Sequence, residues 1–296
     1  LSIELSTRND DSKEKTALAE IFLEKEKCAS GRVASAFGRQ AALLGATKLL
    51  CVASDTLNRG KSVIITTMRT VLITGASDGI GKAIALALSK QKENLILFGR
   101  NEEKLHAVKA EAQSNGAAVT TYVFDLTDNQ KRQAVIDEIL ANGQVDVLVN
   151  NAGVWHKVGD ITTLDETKIA DVINTNLTSQ ILLTRQLLSS MRSRENTAII
   201  NIVSKSGLVP QFGQTAYTAS KYGLKGFTDV LREDTKDEPI RVGAVYQSGT
   251  NTEMFAKAGD DFPTEKFTDP NDLAGVVVFM LTRPKKIWLN EVHVVY

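Results

Sequence analysis

The sequence predicts an α/β fold, a single doubly wound domain on a seven-stranded parallel sheet with helices on both faces. Three observations carry this expectation. From Thr70 onward, short β-branched runs alternate with helical patterns, as in successive βαβ units. A glycine-rich turn stands between the first strand and the first helix. All five prolines lie at or after Pro210, in expected loops or near helix ends, so none interrupts the early units.

The strand runs, in order, are "TVLIT", "LILF", "VTTYVF", "VDVLV", "AIINIV", "IRVGAV" and "WLNEVHVV". Between the first two, Ile80, Ala83, Ile84, Ala87 and Leu88 recur at the spacing of a helix packed on a sheet. Comparable helices are expected at 102–114, 127–141, 163–191, 214–236 and 271–282. The domain therefore covers residues 68–296. Residues 1–67 have a different texture: the first part is dense in charge, while residues 28–54 contain no acid. The acid-free part superficially resembles a transit peptide but follows an acidic stretch, where such a peptide does not belong. The expectation is an N-terminal extension that is disordered or not part of the native protein, with the working domain starting near Met68.

Composition narrows the function classes. With 35 basic and 35 acidic residues the formal charge is zero, which favours neither nucleic acid nor an anionic membrane as a partner. No apolar run approaches the length of a membrane span; the best candidate, "QAALLGATKLLCVAS", is short and carries Lys48. The two cysteines, Cys28 and Cys51, cannot staple the rest of the chain, which favours a reducing, cytoplasmic setting. His106, His156 and His293 are dispersed without ligand spacing, so no metal is expected.

The turn containing Gly75, Ser77, Gly79, Ile80 and Gly81 makes the expected fold Rossmann-like, because missing side chains let backbone N–H groups and a helix N-terminus approach a pyrophosphate. A bare strand-to-helix turn is the alternative. The second strand ends in Gly99, Arg100 and Asn101 rather than in an acid that would bind a ribose 2′-hydroxyl. A guanidinium suits a 2′-phosphate, so NADP(H) is expected over NAD(H). Asp78 inside the turn opposes that preference, and Arg100 is otherwise a solvated surface arginine.

In "AYTASKYGL", Tyr217 and Lys221 are four apart and share one helix face. At an effective dielectric near 20, a lysine charge about 5 Å away favours a phenolate by roughly 3 kcal/mol. The expectation is a tyrosine with a lowered pKa that exchanges a proton near neutral pH.

Several motifs in order now resemble the short-chain dehydrogenase/reductase family along nearly all of residues 68–296. They are "TGASDGIG" (74–81), Asp125 in "FDLTD", "NNAG" (150–153), Asn176 in "NTNLTS", Ser204 in "NIVSKSG", and Tyr217 with Lys221. The resemblance implies an oxidoreductase that reduces a ketone or aldehyde reversibly. Tyr217 is then the general acid and base, and Ser204 binds the carbonyl oxygen. Lys221 tunes the tyrosine and holds the nicotinamide ribose, and Asn176 connects Lys221 to solvent through a water. The resemblance places Gly75, Gly79, Ile80 and Gly81 at the pyrophosphate, and Asp125 with Leu126 at the adenine. Asn151, Ala152 and Gly153 then line the adenosine ribose side. Asn151 has an alternative as a brace between strands, and Asp125 as a cap for the helix beginning near Thr127.

The chain departs from the family pattern after the sixth strand, where "VYQSGTNTEM" puts Gln247 and Ser248 in place of Pro-Gly while keeping Thr252 as a cofactor contact. A more mobile loop is expected there. Candidate pocket residues are Val154, Trp155 and His156, residues 206–212, and residues 254–267. Phe212 and Phe262 suggest an apolar or ring-bearing carbonyl compound, or simple packing. The family also implies a homodimer or homotetramer; the apolar face of "ILLTRQLLSSM" would serve it, or would merely cover the sheet. A second reading of the whole is an NADP(H)-binding regulatory protein without turnover. A serine hydrolase is disfavoured by the absence of a Gly-x-Ser-x-Gly elbow.

Overall fold

The computed structural model describes residues 68–296 except Ser193, Lys285 and Tyr296. The expectations for residues 1–67, including both cysteines, lie outside the described residues. Seven strands form one sheet in the order β3-β2-β1-β4-β5-β6-β7, and every neighbouring pair is parallel. They are β1 Thr70–Thr74, β2 Asn94–Gly99, β3 Val119–Val123, β4 Val147–Asn150, β5 Ala198–Ile202, β6 Arg241–Gln247 and β7 Glu291–Val294. The order reverses between β1 and β4, so a crevice opens at their carboxyl ends, the place where ligands bind in such sheets.

Five of the helices start where a side chain caps them, whereas the two that follow the π turn and Gln214 do not. Helices α1 (Gly79–Ser89), α2 (Glu102–Ser114) and α3 (Asn129–Asn142) begin after Asp78, Asn101 and Asp128, whose side chains accept the first backbone N–H groups. Helix α4 (Glu166–Ile173) begins after Asp165. Helices α5 (Ser179–Met191), α6 (Thr215–Asp234) and α7 (Met254–Lys257) follow, and α8 (Pro270–Leu281) has Asp269 as its cap and proline in its first turn.

Two packed layers flank the sheet. On one face, Ala83, Ile84 and Leu88 of α1 and Ala274, Val277 and Met280 of α8 cover Val71, Ile73, Val149 and Val245. On the other, Val135, Ile136, Leu183, Leu187 and Met191 cover Leu72, Leu148 and Ile199. Each fully buried Leu or Ile contributes about 1.5–3 kcal/mol of apolar burial. The apolar face of α5 is thus engaged with the sheet, as the second of its two readings has it.

One expected element is divided. The helix expected over 163–191 becomes α4 and α5 with a π-helical turn, Asn174–Thr178, between them. There the N–H of Ser179 reaches back to the carbonyl of Asn174. One extra residue in the turn re-aims Asn176 without stopping the chain's helical course. Among the described residues, no helix is long and apolar enough to cross a membrane.

Candidate active site

The glycine turn closes against β4 with no room for side chains. Gly75 (φ 66°) and Gly79 (φ 50°) adopt the left-handed region that favours glycine. A Cβ on Gly75 would lie 2.9 Å from the Cα of Ala152, and one on Gly81 would lie 2.3 Å from the carbonyl oxygen of Gly75. Asn151 holds the far wall: its Nδ2 donates to the carbonyls of Thr74 (2.9 Å) and Gly75 (3.3 Å), while its N–H and that of Ala152 donate to Thr74 Oγ1. The bracing alternative for Asn151 is therefore present, in a residue that also lines the cleft. The first intrahelical bond of α1 runs from Lys82 to the Asp78 carbonyl. The N–H groups of Ile80 and Gly81 precede it, at the positive end of the helix. This cradle fits a dinucleotide pyrophosphate.

The cleft that begins at this turn has a volume of about 1110 Å³. Ser77, Arg100, Asp125 and Leu126 line it where β2 and β3 end; Gly153, Ser204, Tyr217 and Lys221 line it beside β4 and β5, and Thr252 lines it next to Gly79. Asp125 accepts from Thr127 N (2.9 Å) and Oγ1 (2.7 Å), and Arg100 sits 3.3 Å from its other oxygen. Burial raises the Asp125 pKa, but the Thr127 hydrogen bonds and the Arg100 charge outweigh it and hold the carboxyl below its ordinary value. Asp78 is not a bare negative charge. Its Oδ2 takes Lys104 Nζ and Lys257 Nζ, each at 2.8 Å, and Glu253 bridges the same two lysines. Burial raises the Asp78 pKa, and these lysines with the Gly79 N–H bring it well below the usual carboxylate range.

Beyond the turn, β5 and α6 bring three polar side chains together. Ser204 follows β5 at φ 137°, ψ 155°, a conformation that non-glycine residues rarely hold and that stores about 1–3 kcal/mol of strain. Its hydroxyl accepts from Ser206 N at 3.1 Å. Tyr217 and Lys221 project from α6 and are 6% and 4% exposed. Lys221 Nζ donates to the carbonyl of Ile202 (3.1 Å) and stands 5.7 Å from the Tyr217 ring centroid. The expectation of a lowered tyrosine pKa is not met in the protein alone. Burial pushes Tyr217 up to about 12, only partly opposed by its hydrogen bond with Ser204. Burial likewise brings Lys221 down to about 7. Helix spacing set the proximity of the two groups, but the dry wall around them sets their proton affinity.

The family described as short chain dehydrogenase matches residues 69–262. The chain belongs to the short-chain dehydrogenase family. A 3-oxoacyl-[acyl-carrier-protein] reductase of Thermotoga maritima is 32% identical over 71% of this chain and 88% of its own length. An NADP-dependent 3-hydroxy acid dehydrogenase of Schizosaccharomyces pombe is 30% identical over 75% of this chain and 90% of its own. Among solved structures, a metagenomic short-chain oxidoreductase in complex with NADP is 32% identical at a TM-score of 0.68, covering 77% of this chain and 96% of the other.

In this short-chain dehydrogenase the expected residues do not all meet in the cleft. Gly81 packs α1 against Gly75 and Asn151 rather than lining the cavity. Asn176 lies behind it: Oδ1 accepts from Val154 N (2.7 Å), and Nδ2 donates to Val154 O (2.9 Å) and Ser220 Oγ (3.1 Å). Phe212 is 93% exposed and outside the cleft. His156 is buried with Nδ1 against the Lys157 carbonyl, also outside it. Trp155, by contrast, meets the Tyr217 ring edge to face at 4.4 Å and donates from Nε1 to Asp260 (2.7 Å). Phe255 packs on Trp155 at 5.1 Å and on Phe262 at 5.2 Å, so Phe262 belongs to an aromatic wall.

Sequence reasoning named Asp78 and residues 254–267 but did not join Asp78 to Lys104 and Lys257, or Asp260 to Trp155, because these partners are remote in the chain. It also missed Gln180, whose Nε2 donates to the carbonyl of Ala152 from a fully buried position. Its place four residues after Asn176 was the one available signal. The loop after β6 is not loose by its bonding: Ser248 N donates to Val294 O, Thr268 N to Gly249 O and Asn251 N to Thr268 O.

Proposed function

We propose that residues 68–296 form the catalytic domain of an NADPH-dependent carbonyl reductase that interconverts a ketone or aldehyde and its alcohol. The observation that carries this reading is the meeting of Ser204, Tyr217 and Lys221 in the same cleft as the glycine turn. The bound cofactor supplies the hydride, and the chain supplies position and proton. Tyr217, protonated across the neutral range, donates its hydroxyl proton to the carbonyl oxygen in reduction and accepts it in reverse. Ser204 Oγ, held by its unusual backbone angle, donates a hydrogen bond to that oxygen as charge develops. Lys221 meets the ribose hydroxyls, and Asn176, whose side chain holds the Val154 backbone, connects Lys221 to solvent through a water bound at its own backbone. Gly75, Ser77, Gly79 and Ile80 receive the pyrophosphate, while Asp125, Leu126, Asn151, Ala152 and Gly153 flank the adenosine. Thr252 closes the nicotinamide end.

NADP(H) over NAD(H) is supported by Arg100 at the end of β2, by the two lysines that offset Asp78, and by the NADP named for the relatives above. The wall of Trp155, Phe255 and Phe262 suits an apolar or ring-bearing substrate. A cytoplasmic homo-oligomer belongs to the same proposal, with Tyr222 and Val230 of α6 exposed for contact.

The test is oxidation of NADPH, and separately NADH, by the full chain against ketones, aldehydes and quinones. Turnover favouring NADPH is expected, and Tyr217→Phe should lower it about 10²-fold or more while leaving cofactor affinity within a few-fold. Tight NADPH binding without turnover on any member of the panel would favour the regulatory reading.

A further inference from the structure

Gln247, the last residue of β6, occupies the place where the family resemblance leads one to expect proline. It is 7% exposed, and its Oε1 is fully buried without a hydrogen-bond partner. Among the described residues neither end of its amide is engaged. A buried amide oxygen without a donor is costly, so such an atom in a functional cleft points to a ligand that donates to it.

Three observations say which ligand. Gln247 lines the cleft together with Ser204 and Thr252, and its strand β6 is separated from β2, which leads to Arg100, by β1, β4 and β5. Side chains alternate along β6: Ala244 and Tyr246 pack with Val203 and Leu224 on the face covered by α6, whereas Val245 packs on the face covered by α1 and α8. Gln247 shares the face of Val245, which is the side of the glycine turn and not that of the tyrosine helix. Its backbone is fixed, with Gln247 opposite Val294 in β7. The group is a planar amide offering one acceptor and two donors from a rigid strand end.

We propose that the Gln247 side chain binds the carboxamide of the nicotinamide ring, amide to amide, and so sets which face of the ring is turned toward Tyr217. Gln247 is a positioning residue in this account, acting through the cofactor. The proposal rests on the NADP(H) reading of the cleft.

The test measures binding, not turnover, by calorimetry on the full chain with three probes. They are NADP⁺, its 3-acetylpyridine analogue, in which a methyl group replaces the amide nitrogen, and 2′-phospho-ADP-ribose, which lacks the ring. The native chain should bind NADP⁺ about 10-fold more tightly than the analogue, the size of one well-made hydrogen bond. In Gln247→Met that ratio should fall to within about 2-fold, with 2′-phospho-ADP-ribose bound as before, which also shows that the variant is folded. Should Gln247→Met not fold, Gln247→Glu keeps an acceptor and should retain the preference for NADP⁺. An unchanged ratio in Gln247→Met, or none in the native chain, overturns the proposal and leaves the amide to water or packing. Failure of the native chain to bind either NADP⁺ or 2′-phospho-ADP-ribose overturns the underlying cofactor reading, and the Gln247 proposal with it.

Discussion

Lys221 at about 7 beside Tyr217 at about 12 gives the protein alone a definite response to pH. In the unfolded chain the lysine holds its proton up to about 10.4. Between about 7 and that value the unfolded chain binds the extra proton, so stability rises with pH across this window; the gain is lost progressively as pH falls from about 10.4 to about 7, below which both states hold the proton. Anionic cofactor phosphates and ribose hydroxyls favour the charged amine, so binding should draw a proton onto Lys221. We expect proton uptake when NADP⁺ binds at about pH 8, read from calorimetry in buffers of different ionisation enthalpy, and its absence in Lys221→Met. Zero uptake in the native chain would place the proton elsewhere. The spacing of Tyr217 and Lys221 was legible in the sequence because a helix fixes residues four apart. Their proton affinities were not, because Ile202, Ser204 and Trp155 meet them from segments remote in the chain.

At the scale of elements, α1 is set by what its first turn lacks. A methyl group on Gly81 would meet the Gly75 carbonyl at 2.3 Å and Asn151 Nδ2 at 2.5 Å, both in the strand-to-helix turn and its brace. Gly81→Ala should therefore cost about 1–3 kcal/mol in denaturant unfolding and weaken cofactor binding together with stability. A fully stable variant would show that the turn can shift. Gly226, on α6, has nothing within 4 Å of its added Cβ and serves as the control. The glycine turn was readable from its position between a strand and a helix. The π turn at Asn174–Thr178 was not, since one added residue leaves the apolar pattern on either side intact.

For the whole molecule, the strand count and parallel sense followed from β-branched runs separated by helical ones, whose order the chain's own continuity preserves. What the sequence concealed is long-range closure: Lys257 reaches Asp78 across 179 positions, and Asp260 reaches Trp155 across 105. No local pattern marks such pairs. The family match begins at residue 69, so a chain starting at Met68 should keep its melting temperature and turnover per molecule. Loss of either would assign residues 1–67 a part in folding or catalysis. The chain also holds two tryptophans that report on different places. Trp155 touches Tyr217 in the cleft, whereas Trp288 donates to the Val242 carbonyl and lies under Arg241 at the sheet. Light emitted by the first indole should follow changes around Tyr217, and light from the second should follow the fold. A Trp288→Phe variant would leave Trp155 as an optical gauge of what enters the cleft, built into the protein without any added dye.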